Sequence, residues 1–430
     1  MRKKWILAVL TILLVVVLVT ASGCGQKSSE SQDASKKISQ SQGAGKDTNV
    51  IKIGAIYPLS GPTAQDGENQ RKAHELAVEE INKAGGIKSL GGAKLQFVYA
   101  DSQSKPEVGI AEAERLINQE KVVALMGTYE SHVAMSVSEI AERYGIPIII
   151  PNALADKLTE RGLKYTFKTV IKTSDFGRDT GKFVREIGEK TGKVAKRAAI
   201  LYGDFFFGHE VAEGWIKQLP QMGFEIVANV AYPVPATNMQ EALLKVKQAN
   251  PDVLFVLGNI SEAVLTIKQL KELNYWPTYG VVGVGGGFSN PVFLQNTGQL
   301  AEGLFIANDW FPEINRAGSK EVNKKFKDKY GIDMTGNANT TYAATWVLAD
   351  ALERAGSTDG NKLREALANT DITSGPATFM YDRIKFDETG QNISAQNVIA
   401  QVQGGKPMVV WPDKYKIADP KWPVPGWDKR

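Results

Sequence analysis

The sequence predicts an α/β protein of two units, each a doubly wound parallel sheet covered by helices. Three observations lead there. Short β-branched runs alternate with amphipathic stretches from Val50 onward, the alternation restarts near residue 170, and a chain of 430 residues exceeds what one ordinary core fills. Parallel strands cannot be joined by tight hairpins, so their connections must cross back over the sheet as helices.

The first cycle opens with a strand at Val50–Tyr57. Residues 70–83 then put Ala73, Leu76, Ala77 and Ile81 on one helical face before Gly85 and Gly86 stop the helix. Strands at 94–100, 122–127 and 146–150 follow, separated by helices around 110–118 and at Ser131–Tyr144. The second set has strands at 198–202, 225–231, 252–258, 279–284 and 303–307. Its helices run over 208–219, 239–248 and 261–273, the last capped by Ser261. Helices at 321–330, 340–355 and 361–368 come next, then hairpin-like strands near 379–386 and 398–402. No short period recurs, which sets aside a solenoid.

Ahead of Val50 the chain reads differently. Arg2, Lys3 and Lys4 form a positive head, residues 5–20 are almost wholly apolar, and Ala21, Ser22 and Gly23 lead to Cys24. The apolar run is shorter than the roughly 20 residues a spanning helix needs, so residues 1–23 read as a secretory signal peptide. The string ASGC resembles the lipobox of bacterial lipoproteins, which makes Cys24 the candidate lipidation site. Residues 24–49, mostly Ser, Gln, Lys, Gly and Asp, are too polar to fold alone and read as a flexible tether.

Composition removes several function classes. A formal charge of +4, part of it in the signal, leaves no one-signed field for nucleic acid. One cysteine and three histidines are too few for a disulfide framework, a cysteine-rich zinc site or an iron–sulfur cluster, so neither metal nor cofactor is expected. Walker, HExxH and GxSxG motifs are absent, and His132, although next to Ser131, diverges from it on a helix, so an enzyme is not expected either.

Ligands of doubly wound sheets bind beyond the carboxyl ends of the strands, where helix starts offer free N–H groups. After the strand at 122–127 come Tyr129, Glu130 and Ser131, with Ser131 either a donor to a carboxylate or a plain helix cap. After 146–150 come Asn152, Ala153 and Leu154, whose carbonyls suit an ammonium group. Phe205, Phe206 and Phe207 follow 198–202; either two are buried and one partly exposed, or at least one faces a cleft. Asn259 and Ser261 follow 252–258. Residues 283–287 (GVGGG) lack a GxGxxG register and a convincing helix after them, so a tight turn near a ligand or at a domain boundary is expected.

Five stretches taken together resemble the leucine/isoleucine/valine-binding protein family, solute-binding lipoproteins of branched-chain amino acid ABC importers. They are IGAIYPLSGPTAQDG (53–67), EEINKAGGI (79–87), ALMGTYESHVAMSVSEIAE (124–142), IPIIIPNALADKLTERG (146–162) and AEGLF (301–305), in an order consistent over about residues 50–415. The resemblance implies two Rossmann-like lobes joined by a three-strand hinge, the type I periplasmic binding protein architecture. One lobe would hold 50–170 and 308–394, the other 171–307 and 395–430, closing on a ligand between them.

Residue by residue, the resemblance puts Ser131 on the serine that binds the ligand carboxylate. Asn152 falls on a position that offers a backbone carbonyl, and Leu154 departs from a threonine hydroxyl. Asp66 stands at a side-wall tyrosine, Phe207 at another aromatic, and Asn259 at or beside a further tyrosine. The family glutamate that pairs with the ligand ammonium falls within 283–285, around Gly285, where no carboxylate exists. Either Asp66 or Glu130 supplies that partner from another wall, or the ligand has no α-ammonium group.

The resemblance thus implies a monomeric extracytoplasmic receptor, held to the membrane by its lipid, that passes an amino acid to an ABC permease. An aromatic or aliphatic carboxylate, or a small amide, is the alternative ligand. A sensor module of the same fold is the alternative role.

Overall fold

The structure is a computed structural model and describes residues 49–429. The signal peptide, Cys24 and the tether lie outside the described residues. The first sheet comprises β1 (Val50–Tyr57), β2 (Lys94–Asp101), β3 (Ala124–Gly127), β4 (Ile148–Ile150) and β5 (Thr166–Lys168), all parallel in the order β2-β1-β3-β4-β5. The second takes β6 (Arg197–Gly203), β7 (Glu225–Tyr232), β8 (Val253–Leu257), β9 (Gly280–Val284) and β10 (Phe305–Asn308). After a minor pair, β11 (Asp371–Ile372) with β12 (Ile384–Lys385), the chain adds β13 (Val398–Gln403) and β14 (Lys406–Trp411) to that second sheet. Its order is β14-β13-β10-β9-β8-β6-β7, with β13 and β14 antiparallel to their neighbours.

Central strands are buried on both faces: every residue of β8 and β9 is buried. That pattern requires helices above and below, which the crossovers supply. On the first sheet, the helices Pro106–Asn118 and Ser131–Tyr144 bring Leu116, Val133, Val137 and Ile140 against Leu125 and Ile148. The opposite side carries the helix Ala64–Lys83, packed against Gly336–Ala355. The chain therefore leaves the first unit after β5, returns to it after β10, and leaves again before β13.

These passages are tied together by buried polar groups. Lys168 N donates to Gly390 O at 2.8 Å, and Asn392 N donates to Lys168 O at 2.9 Å. Asp179 Oδ2 accepts from Asn397 N at 3.0 Å and from its Nδ2 at 2.9 Å.

Most predicted elements are present with shifted ends, and some differ. The helix Thr173–Thr191 and the strands β5 and β14 were not foreseen. Glycines at 177, 181 and 188 obscured the helix. Gly177 is there because a Cβ would come 2.6 Å from Gly214 O on the helix Phe206–Gln218, so the two backbones need a bare contact. The hairpin near 379–386 shrinks to the two-residue pairing of β11 with β12. Asn259, not Ser261, occupies the N-cap, and Ser261 Oγ donates to Glu262 Oε2 at 2.9 Å instead. Helices Gly286–Ser289 and Pro291–Thr297 do follow the glycine run.

The carboxyl-terminal tryptophans pack on the second unit. Trp422 Nε1 donates to Lys193 O at 2.8 Å and its ring stacks on Tyr279, while Trp427 Nε1 donates to Tyr275 O at 2.8 Å.

Candidate ligand-binding cleft

Both sheets point the carboxyl ends of their parallel strands at one cavity of about 360 Å³. From the first unit come Thr63 after β1, Ser104 after β2, Tyr129 to His132 after β3, and Asn152 and Leu154 after β4. From the second come Phe205 to Phe207 after β6, Val234 after β7, Asn259 after β8 and Gly285 to Gly287 after β9. Most of the exposed lining surface is apolar, and most of its polar side chains come from the first wall, with Asn259, Asn308 and Asp309 contributed from the ends of β8 and β10.

Ser131 is the first residue of its helix; Glu130 takes the N-cap position. The plain-cap reading of the serine is therefore wrong. Its Oγ accepts from Ala155 N at 3.2 Å, which leaves the hydroxyl proton free to donate into the cavity. Glu130 Oε1 accepts from Thr63 Oγ1 at 2.9 Å and Ser104 Oγ at 2.6 Å. Its Oε2 is shut off from solvent without a hydrogen-bond partner. His132, also in the lining, bonds Ser104 O through Nε2 at 3.1 Å.

Two predicted residues do not line the cavity. Asp66 sits in the first turn of Ala64–Lys83, where its carboxylate accepts from the Tyr129 side chain, and burial pushes it up to about 6 despite that hydrogen bond. It supports a wall residue and is not the polar wall itself. Ala153 is buried, with only its neighbours Asn152 and Leu154 reaching the lining. Tyr129, Glu130, Ser131, Asn152, Leu154, Phe207, Asn259 and Gly285 are brought together around the cavity. All three phenylalanines reach it and none is fully buried, so of the two readings the one with a ring facing the cleft agrees with the structure and the one with two buried rings does not.

The Asn152 side chain is spent on the helix Gly336–Ala355. Nδ2 donates to Asn337 O and Thr340 Oγ1, each at 2.9 Å, and Oδ1 accepts from Thr341 Oγ1 at 3.1 Å. Behind it, His74 bridges Thr345 Oγ1 at 2.9 Å and Tyr57 Oη at 3.1 Å, and full burial drives its imidazole down to about 3, so it is neutral.

Lys168 was missed altogether. Fully buried, its Nζ donates to Leu154 O at 2.8 Å and Ala155 O at 3.0 Å, holding the loop whose Ala155 N–H bonds Ser131. Burial lowers its pKa to about 7, partly offset by the Asp156 carboxylate.

Thr63, Ser104, Asn308 and Asp309 were also missed. The strand-end rule would have reached them had it been applied after β1, β2 and β10 as well. Asn337, at the start of a helix that follows no strand directly, carries no such signal.

Comparison with known proteins agrees with this geometry. A family model described as periplasmic binding protein matches residues 50–406. The Leu/Ile/Val-binding protein homolog 7 of Brucella suis biovar 1 is 32% identical over 381 residues, covering 87% of this chain and 94% of its own.

Two solved structures at 25% identity each superpose with a TM-score of 0.72. One is the branched-chain amino acid transporter substrate binding protein LivJ of Streptococcus pneumoniae in complex with isoleucine, covering 85% of this chain and all of its own. The other is a solute binding protein of an ABC transporter from R. palustris in complex with benzoate, covering 86% of this chain and 98% of its own.

Proposed function

Because the chain belongs to the periplasmic binding protein family, as a substrate-binding protein of ABC transporters of the Leu/Ile/Val-binding kind, we propose that it captures a hydrophobic amino acid between its two lobes and delivers it to an ABC permease. The lobes are residues 50–170 with 308–394 and residues 171–307 with 395–430, and Cys24 carries the lipid that keeps the protein at the outer face of the membrane. Two facing sheets whose strand ends share one apolar cavity carry this reading. The apolar lining receives the side chain of the ligand, and Ser131 donates to its carboxylate. Closing the lobes replaces the lost water with fixed polar groups.

A second reading, an aromatic carboxylate ligand, draws on the benzoate complex, which is as similar to this chain as the isoleucine complex is.

Ser131→Ala tests the site. Loss of one donor to a charged group should weaken binding of leucine or isoleucine by about 1–3 kcal/mol in calorimetry. An unchanged affinity removes Ser131 from the site.

A further inference from the structure

Residues 154–157 touch both units of the chain. On the cleft side, Ala155 N donates to Ser131 Oγ at 3.2 Å. On the other side the segment meets the start of the helix Thr173–Thr191, the first helix after the chain leaves the first unit. Asp156 Oδ1 accepts from Thr173 Oγ1 at 2.6 Å and from Ser174 N at 3.2 Å, and Leu154 O accepts from Thr173 N at 3.1 Å. That helix packs on Phe206–Gln218 of the second unit. Lys157 adds an ion pair with Glu210 of the same partner helix at 3.4 Å.

These links are unequal. The Lys157 side chain is 61% exposed, so water and salt screen its ion pair. Asp156 is half-buried and receives two donors at a helix amino terminus, where free N–H groups and the helix dipole favour an anion. Burial opposes its charge, yet hydrogen bonds from Ser174 and Thr173 hold its carboxyl below its ordinary value. Lys168 Nζ pins the middle of the segment by the carbonyls of Leu154 and Ala155. A shift at Asp156 therefore carries the adjacent Ala155 N–H with it. That N–H occupies one lone pair of the Ser131 hydroxyl, which restricts where its single proton points.

We propose that Asp156 is a positioning residue for ligand capture: by capping the helix that opens the second lobe, it ties the aim of the Ser131 hydroxyl to the place where the chain first crosses between lobes. The proposal rests on the solute-binding reading, in which Ser131 meets the ligand and the lobes close, and adds the residue that couples the two. Movement of the start of Thr173–Thr191 reaches Ser131 through Asp156 and Ala155. A ligand held by Ser131 favours the same arrangement in return, because coupling of this kind is reciprocal.

The test is a double-mutant cycle on the whole protein, read by calorimetry with leucine, isoleucine and benzoate as probes. Asp156→Ala should weaken a probe that binds by about three- to tenfold, the range of one lost hydrogen bond. In the Ser131→Ala background the same substitution should change affinity by less than about twofold, since no hydroxyl remains for it to position. Asp156→Asn, which keeps the acceptor, should lie nearer to wild type than to Asp156→Ala. Without any ligand, amide exchange reads the coupling from both ends: Asp156→Ala should speed it at Ala155, and Ser131→Ala should speed it at Ser174.

Equal losses from Asp156→Ala in both backgrounds overturn the proposal and leave solute capture standing, as does wild-type affinity in Asp156→Ala while Ser131→Ala is weakened. Wild-type affinity in Ser131→Ala removes the serine from the site and takes the proposal with it. If no probe binds, capture of these solutes fails and amide exchange decides the coupling, unchanged rates at Ala155 and Ser174 overturning it. Should Asp156→Ala not fold, Thr173→Val removes the donor from the other side of the same hydrogen bond and takes its place in the cycle.

Discussion

Lys168 shows how one buried side chain joins the cleft to the chain passages between lobes. Its Nζ grips the Leu154–Ala155 loop, and its backbone bonds Gly390 and Asn392. Asp156, Glu160, Lys172 and Asp175 are the charged groups around it. With the folded pKa lowered to about 7 from 10.5, the unfolded chain keeps a proton that the folded one gives up between those values. Stability from this residue accordingly rises with pH across that window and is lost as pH falls toward 7. Lys168→Met should therefore have a flatter dependence of melting temperature on pH between about 7 and 9.5 than wild type; parallel curves would contradict the assignment. Nothing in the local sequence TFKTV marks this lysine as buried, because the groups that desolvate it come from the segments around 154 and 390. Ser131 was legible because it begins a helix straight after a strand. Asp66 was misread because a matching position along the chain says nothing about whether Tyr129 stands between it and the cavity.

At the level of elements, the loops after β8 and β9 meet at a contact that only a bare backbone permits. A Cβ on Gly287 would lie 1.9 Å from Gly258 O, and both loops line the cleft. Gly287→Ala should cost about 1–3 kcal/mol of stability, as overpacking does. It should also weaken ligand binding, whereas Gly426→Ala, with open space around it, should change neither. Thermal melts and calorimetry on the two variants check this; equal melting temperatures would show that the loops yield. The regular helices and strands were readable from apolar periodicity, as at Ser131–Tyr144, where prediction and structure coincide. The helix Thr173–Thr191 was not, since its glycines serve contact with a neighbouring helix and suppress the local helical signal.

For the whole molecule, the proposed anchor gives a prediction of its own: Cys24→Ser should shift the protein from the membrane fraction to the soluble extracytoplasmic fraction. Retention in the membrane fraction would dismiss the lipoprotein reading. No helix among the described residues is long and apolar enough to cross a membrane. By itself, the sequence determined the α/β class, the order of most elements and the loops where a ligand would sit, because apolar periodicity and strand-to-helix junctions are local properties of the chain. Only the tertiary structure decided that Gly336–Ala355, once back in the first lobe, packs on the helix Ala64–Lys83. It alone set Thr63 and Ser104 to hold Glu130, turned Asp66 toward Tyr129, and buried Lys168 against the cleft loop. Each of those environments is built from segments far apart in the chain, and no pattern within one segment encodes which others will close around it.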